Sequence, residues 1–210
     1  MMEPIIVVGP GRCGSSCVAG VLYHLGVFVG SRLIGADPSN PWGHFEDWEF
    51  VNLNSAFLGQ IISRCEWTTQ AQQLIERRRA LGVPWGWKDP RTCNLLRDYL
   101  EFFNDPKFIR CVRDPAQIEA SAVRAYSKLQ WSAADARAIR SRRERELNHY
   151  LPWYKTLVVD FDRIREYREE TIRSIVNFCG LGNVDLRRFN NAVSFIHPES
   201  DPEPSLLAST

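Results

Sequence analysis

Residues Gly9 to Ser16 read Gly-Pro-Gly-Arg-Cys-Gly-Ser-Ser and directly follow the apolar run Ile5-Ile6-Val7-Val8. The spacing fits the phosphate-cradling pattern G-x-x-x-x-G-K-[ST], except that Ser15 stands where the lysine belongs. That lysine normally reaches the β- and γ-phosphates of a nucleoside triphosphate. Here Arg12 is the only cation in the loop. Glycines let the backbone curl so that successive N–H groups point inward at an anion. Ser15 and Ser16 add hydroxyl donors at the start of the next helix, where the dipole favours negative charge. Gly11, Arg12, Cys13, Gly14, Ser15 and Ser16 are therefore expected to line an anion site. A phosphate loop without the triphosphate lysine points away from ATP and towards another phosphorylated nucleotide.

Three further segments carry candidate chemistry. Arg113-Asp114-Pro115 ends an apolar run, and Ser121 follows eight residues after the arginine. Arg113 can take a phosphate bidentately, and Ser121, about two helical turns on, can bond the same group. The alternative is a local carboxylate partner for Arg113 and a solvent-facing Ser121. In Trp87-Lys88-Asp89-Pro90-Arg91, a lysine at a strand end reaches a neighbouring crevice, or is a surface lysine. In Gly43-His44-Phe45-Glu46-Asp47, either carboxylate suits a helix start, and a proton acceptor is the sharper reading. Arg137, Arg140, Arg142, Arg143 and Arg145 read as a solvated helix face diluted by Glu144 and Glu146. The seven tryptophans read mostly as core or pocket walls, with Trp42, Trp48, Trp85 and Trp87 flanking the candidate sites.

These residues need a scaffold, and the apolar pattern supplies one. Ile5–Val8, Trp85–Lys88, Lys107–Val112 and Thr156–Phe161 read as short buried strands, with another at Val27–Val29. Helices are expected over Ser15–Leu25, Asp47–Ile62, Thr69–Leu81, Leu95–Phe103, Ser132–His149, Thr171–Cys179 and Asp185–Phe195. Pro115 fits the first position of one more. Strands alternating with helices argue an α/β fold, a central parallel sheet flanked by helices on both faces. With the glycine loop after the first strand, this is a P-loop three-layer sandwich. Ligands in such sheets bind outside the carboxyl ends of the strands.

The 210 residues suit one domain over residues 1–196, with a flexible tail over 197–210. The net charge of +1 gives no global attraction to nucleic acid or membrane, so an anion site must be local. No run approaches the ~20 apolar residues of a membrane span, and the start does not read as a signal peptide. A soluble, cytoplasmic protein is expected. None of the six cysteines forms a C-x-x-C pair, so buried free thiols are expected and a zinc site is not. Cys13 stands apart, because a helix N-terminus would lower its thiol pKa and open a redox role.

Taken in order, these pieces resemble the sulfotransferases that use 3′-phosphoadenosine 5′-phosphosulfate (PAPS), over roughly residues 4–180. The Gly9–Ser16 loop is similar to the family's 5′-phosphosulfate loop, with Arg12 at its basic position. Arg113 and Ser121 resemble its 3′-phosphate motif. Lys88-Asp89-Pro90 is similar to a segment of the tyrosylprotein and bacterial branch, where a glutamate between loop and lysine is the base; Glu46 is the best match. The resemblance implies metal-independent transfer of a sulfuryl group to a hydroxyl acceptor, with adenosine 3′,5′-bisphosphate as product. Arg12 and the loop amides would hold the sulfate and 5′-phosphate, Lys88 the leaving oxygen, Glu46 the acceptor proton, and Arg113 with Ser121 the 3′-phosphate. His44 competes with Glu46, since the cytosolic branch uses a histidine. Phe161-Asp162 replaces a common Tyr-Glu pair, the C-terminal Arg-Lys-Gly contact is not visible, and the chain is short for the family. Rival readings are a P-loop kinase or NTPase, with Asp160 after Leu157-Val158-Val159 as a magnesium carboxylate, and a non-catalytic nucleotide-binding relative.

Overall fold

The apolar run Ile5–Val8 forms β1 with all four side chains buried, and its alternation assigns the two faces of the sheet. Ile5 and Val7 point into one core, Ile6 and Val8 into the other. The computed structural model describes residues 2–196, so the expected tail at 197–210 lies outside the described residues. After β1 come α1 (Ser15–His24), β2 (Leu33–Ile34), β3 (Glu46–Asp47), α2 (Trp48–Leu58) and α3 (Arg64–Arg79). β4 (Gly86–Lys88), a 3₁₀ turn over Pro90–Leu95, α4 (Leu96–Leu100), β5 (Lys107–Val112), α5 (Pro115–Ala125) and α6 (Ala133–Tyr150) follow. β6 (Thr156–Asp160), α7 (Phe161–Glu166), α8 (Arg168–Cys179) and α9 (Leu186–Phe195) complete the order.

β4, β1, β5 and β6 make one parallel sheet in that spatial order. α1, α8 and α9 pack on one face, where Val21, Leu22, Ile172, Ile175 and Ala192 meet Ile109 and Cys111. α2, α3, α4 and α6 cover the other, where Phe50, Trp67, Leu74, Tyr99 and Leu147 meet Trp87 and Phe108. The expected three-layer α/β sandwich is therefore what forms. Trp85 and Trp87 belong to this second core, with Trp87 stacked on Phe50 at 4.4 Å, whereas Trp42 is 47% exposed.

Several boundaries differ from the sequence reading. The strand expected at Val27–Val29 shrinks to one parallel bridge, Phe28 to Trp85, because Gly26 and Gly30 at positive φ bend the chain on either side. The expected helix over Leu95–Phe103 splits into the 3₁₀ turn and α4. α3 starts five residues before Thr69, because Ser63 and Glu66 close a reciprocal capping box. α8 starts at Arg168 rather than Thr171, and β6 ends at Asp160, whose carboxylate caps α7. The antiparallel pair β2–β3 has only two residues per strand, too short to announce itself by periodicity. Among the described residues no helix is long and apolar enough to cross a membrane.

Candidate active site

The parallel strands deliver three candidate segments to the carboxyl end of the sheet: the loop after β1, Lys88 at the end of β4, and Arg113 just beyond β5. In the loop, Gly11 (φ 90°), Arg12 (φ 59°) and Gly14 (φ 84°) all adopt positive φ, so the chain coils tightly before α1. Only Arg12 does so with a side chain, an uncommon conformation outside glycine. The loop is held from α6, where Arg143 donates to the Pro10 carbonyl at 2.8 Å. The arginine cluster is thus more than a solvated face: Arg140 and Arg137 pair with Glu119 at 3.0 and 3.3 Å, and Arg143 pins the loop.

Arg12 reaches across the fold. Its Nε donates to Ser121 Oγ at 3.1 Å, 109 residues away, and a terminal nitrogen donates to the Ser39 carbonyl at 2.8 Å. Ser121 is buried rather than solvent-facing. Arg113 takes a different route. It donates to Gln117 Oε1 at 3.0 Å and lies 4.7 Å above the Phe161 ring, so its partners are neither a carboxylate nor Ser121. Phe161 also packs against Gly14, which ties Arg113 to the loop through one aromatic ring.

Beside the loop, Lys88 is the hub. Its Nζ donates to Glu46 Oε1 at 2.6 Å, Ser16 Oγ at 3.1 Å and the His44 carbonyl at 3.3 Å. Both Lys88 and Glu46 are buried, so Lys88 is no surface lysine. By residue type alone Glu46 and Asp47 are alternatives, with Glu46 favoured through the family resemblance, and strand alternation separates them. Asp47 caps α2, accepting from the Glu49 amide at 3.1 Å, and pairs with Arg78 at 2.7 Å. Burial pushes its carboxyl up, against the pull of Arg78. Glu46 turns the other way, to Lys88. The His44 ring is committed to Asp37 Oδ2 at 3.0 Å.

A segment from Asp37 to His44 lies against these donors. Asn40 Nδ2 donates to Ser16 Oγ at 3.0 Å, and the Ser39 carbonyl holds Arg12. Asp37 shapes the segment by accepting from the Ser39 amide and hydroxyl and the Asn40 amide at 2.7–2.9 Å. Burial raises the Asp37 carboxyl, but the Ser39 and His44 bonds outweigh it and bring it down to about 2. A depressed carboxylate stabilises its surroundings above its unfolded value and loses that effect as pH falls through the folded one. The Ser39 and Asn40 amide shifts, followed by NMR, should therefore titrate together with a midpoint of about 2. A midpoint at 3.8, the ordinary aspartate value, would show that Asp37 does not hold this segment.

Cys13 departs from expectation. Its thiol is fully buried and pushed up by that burial, despite hydrogen bonds from the Gly11 and Ser15 segment, so the loop does not activate it. Only its backbone remains available to an anion. All six cysteines are free, and Cys65 is exposed rather than buried. Asp160 accepts from the Asp162 and Arg163 amides at 2.9 and 3.4 Å as the cap of α7, on a strand separated from β1 by β5. Its carboxylate is thus engaged as a helix cap. A groove of about 590 Å³ between α3, α4 and α6, lined by Arg64, Asp98, Arg142 and Tyr150, shares no residue with the site.

The residue that sequence reasoning missed is Arg91. Asp89 is fully buried, and its Oδ1 accepts from the Arg91 amide and guanidinium, both at 2.9 Å, folding Arg91 back beside Lys88. The Lys-Asp-Pro-Arg spacing was visible, but the Asp89 turn that redirects Arg91 was not. Chemically the site offers cations converging on a coiled loop of amides, a carboxylate beside them and buried hydroxyls. It can hold two anionic groups and accept a proton.

No protein-family model matches this chain, and no curated protein matches it. Among solved structures, it is similar to the sulfotransferase STF1 from Mycobacterium tuberculosis H37Rv, with a TM-score of 0.60 and 16% identity over 92% of this chain and 71% of that one. It is also similar to the sulfotransferase domain from the Synechococcus PCC 7002 olefin synthase, with a TM-score of 0.57 and 15% identity over 91% of this chain and 78% of that one. The α/β sandwich described above is thus the fold of these sulfotransferases.

Proposed function

We propose that this protein transfers a sulfuryl group from PAPS to a hydroxyl of an acceptor molecule. The observation that carries the reading is the contact line Ser16–Lys88–Glu46 running out from the phosphate loop, with Arg12 bonded to Ser121 at its side. It sets a hydroxyl and a lysine beside the loop and a carboxylate one contact further out, the order an in-line transfer requires. The positive-φ coil, its two glycines and the adjoining cations fit an anionic nucleotide.

In this reading the acceptor oxygen attacks sulfur while the bond from sulfur to the bridging phosphate oxygen breaks. The electron pair stays on that oxygen, and Lys88 neutralises it. Glu46 takes the acceptor proton once Lys88 has turned to the donor. Arg12, Ser16 and the amides of Gly11, Cys13, Gly14 and Ser15 hold the sulfate and 5′-phosphate. Ser121 and Arg113 hold the 3′-phosphate, which requires Arg113 to turn from Gln117. The fold of the two solved sulfotransferases supports the class of reaction.

Thermal unfolding with adenosine 3′,5′-bisphosphate or with ATP and magnesium tests this directly. The bisphosphate at 100 Kd should add about 2.7 kcal/mol of stability, and ATP–magnesium should add little. Stabilisation by ATP–magnesium alone would overturn the reading in favour of a kinase or NTPase. Glu46→Gln should keep the bisphosphate effect and abolish transfer from labelled PAPS. Binding without transfer in the wild-type chain would mark a non-catalytic relative.

A further inference from the structure

We infer that Arg91 is a positioning residue for Glu46, holding that carboxylate in place when Lys88 turns to the donor; the inference rests on the sulfuryl-transfer reading above. In the structure Glu46 stands between two cations. Oε1 meets Lys88 Nζ at 2.6 Å, and Oε2 pairs with an Arg91 terminal nitrogen at 3.5 Å. The two cations have different anchorage. Lys88 ends a flexible four-carbon stem and already divides its ammonium among Glu46, Ser16 and the His44 carbonyl. Arg91 is fixed by the same nitrogen to Asp89 at 2.9 Å.

Asp89 cannot move easily. It is fully buried, and its other oxygen accepts from Asn54 Nδ2 at 2.9 Å. Asn54 is itself fully buried and accepts from the Tyr99 hydroxyl at 2.7 Å and from Trp67 Nε1 at 3.4 Å. A continuous polar chain therefore runs from the second core, through Asn54, Asp89 and Arg91, to Glu46. Burial disfavours the charged guanidinium, but Asp89 and Glu46 more than compensate and raise its pKa.

The consequence concerns the transfer step. For Glu46 Oε1 to receive the acceptor proton, Lys88 must release it and turn its ammonium to the leaving oxygen. When it turns, a buried carboxylate would stand without a partner, an arrangement proteins rarely tolerate. Arg91 supplies the second partner on Oε2, leaving Oε1 free to receive the acceptor proton. Arg91 touches neither nucleotide nor acceptor in this scheme, and acts through Glu46.

The test compares Arg91→Met, Arg91→Lys and Glu46→Gln in the full chain. Calorimetry measures affinity for adenosine 3′,5′-bisphosphate, and single-turnover release of labelled sulfate from PAPS to water measures transfer, since water is a hydroxyl always present. Arg91→Met should bind the bisphosphate within about twofold of wild type, yet transfer about 100-fold more slowly, the scale of a misplaced catalytic group. Arg91→Lys, which keeps a cation near Asp89, should recover about tenfold of that loss. Wild-type transfer in Arg91→Met, or a parallel fall in affinity and transfer, would overturn the proposal, the latter making Arg91 a staple of the Asp89 turn. Should Arg91→Met not fold, Arg91→Lys decides: about tenfold slower transfer at unchanged affinity supports it, and wild-type transfer overturns it. Failure of the underlying reading looks different, because Glu46→Gln then transfers like wild type or no chain binds the bisphosphate.

Discussion

Gly14→Ala should unfold at a temperature lower by roughly 4–20 °C, a loss of about 2–5 kcal/mol read at about 2–4 °C per kcal/mol. Two independent terms produce it. Gly14 holds φ 84°, and a Cβ in left-handed backbone costs about 1–2 kcal/mol. That Cβ would also sit 2.0, 2.6 and 2.9 Å from Cδ2, Cγ and Cβ of Phe161. Contacts at Cγ and Cβ cannot be relieved by rotating the ring, so the whole side chain must move, at about 1–3 kcal/mol for overpacking. Gly182→Ala separates the terms, because Gly182 has φ 65° with nothing within 4 Å of its built Cβ. It should lose only the backbone part. In a Phe161→Ala background, Gly14→Ala should cost less than in the parent chain, because only the 2.9 Å contact with the Cβ of residue 161 remains. Equal losses for Gly14→Ala and Gly182→Ala in the parent chain would refute the clash. Because Arg113 rests on the displaced ring, Gly14→Ala should also weaken binding of adenosine 3′,5′-bisphosphate.

The same contact explains how much of the site could be read in advance. The glycine loop was legible because its chemistry is local: a buried strand, a coil of glycines and a helix start occupy one stretch of chain. The sheet was legible for the same reason, since four short apolar runs carry it. Contacts made by chain reversal were not legible. Nothing local announces that Arg12 reaches Ser121, that Arg143 pins Pro10, or that Phe161 fills the space a side chain at position 14 would need. Arg113 marks another limit. Its spacing to Ser121 suggests one shared site, whereas in the structure its bonds go to Gln117 and the Phe161 ring. Helix spacing places two side chains on one face; it does not decide which of several polar neighbours each will choose. Residue type alone does not distinguish Glu46 from Asp47, because both suit a helix start; the family resemblance favours Glu46. Only pairing of β3 with β2 fixes which carboxylate faces Arg78 and which faces Lys88.

Lys88→Met should destabilise the protein by about 3 kcal/mol, because it strands Glu46 as a buried carboxylate with Arg91 as its remaining cation. Glu46→Leu should cost less, since the lysine keeps Ser16 Oγ and the His44 carbonyl as acceptors. The double variant, Lys88→Met with Glu46→Leu, should return to within about 1 kcal/mol of the parent, as buried pairs replaced by apolar side chains often do. Urea unfolding of the four chains measures the coupling directly. A coupling below about 0.5 kcal/mol would mean that the two charges do not meet in solution. A restored double variant that no longer transfers sulfate would carry the functional argument. A pair that apolar side chains can replace at little cost in stability is not explained by folding. The pair beside the Gly9–Ser16 loop would then be accounted for by the proposed transfer, in which Lys88 serves a leaving oxygen and Glu46 takes a proton.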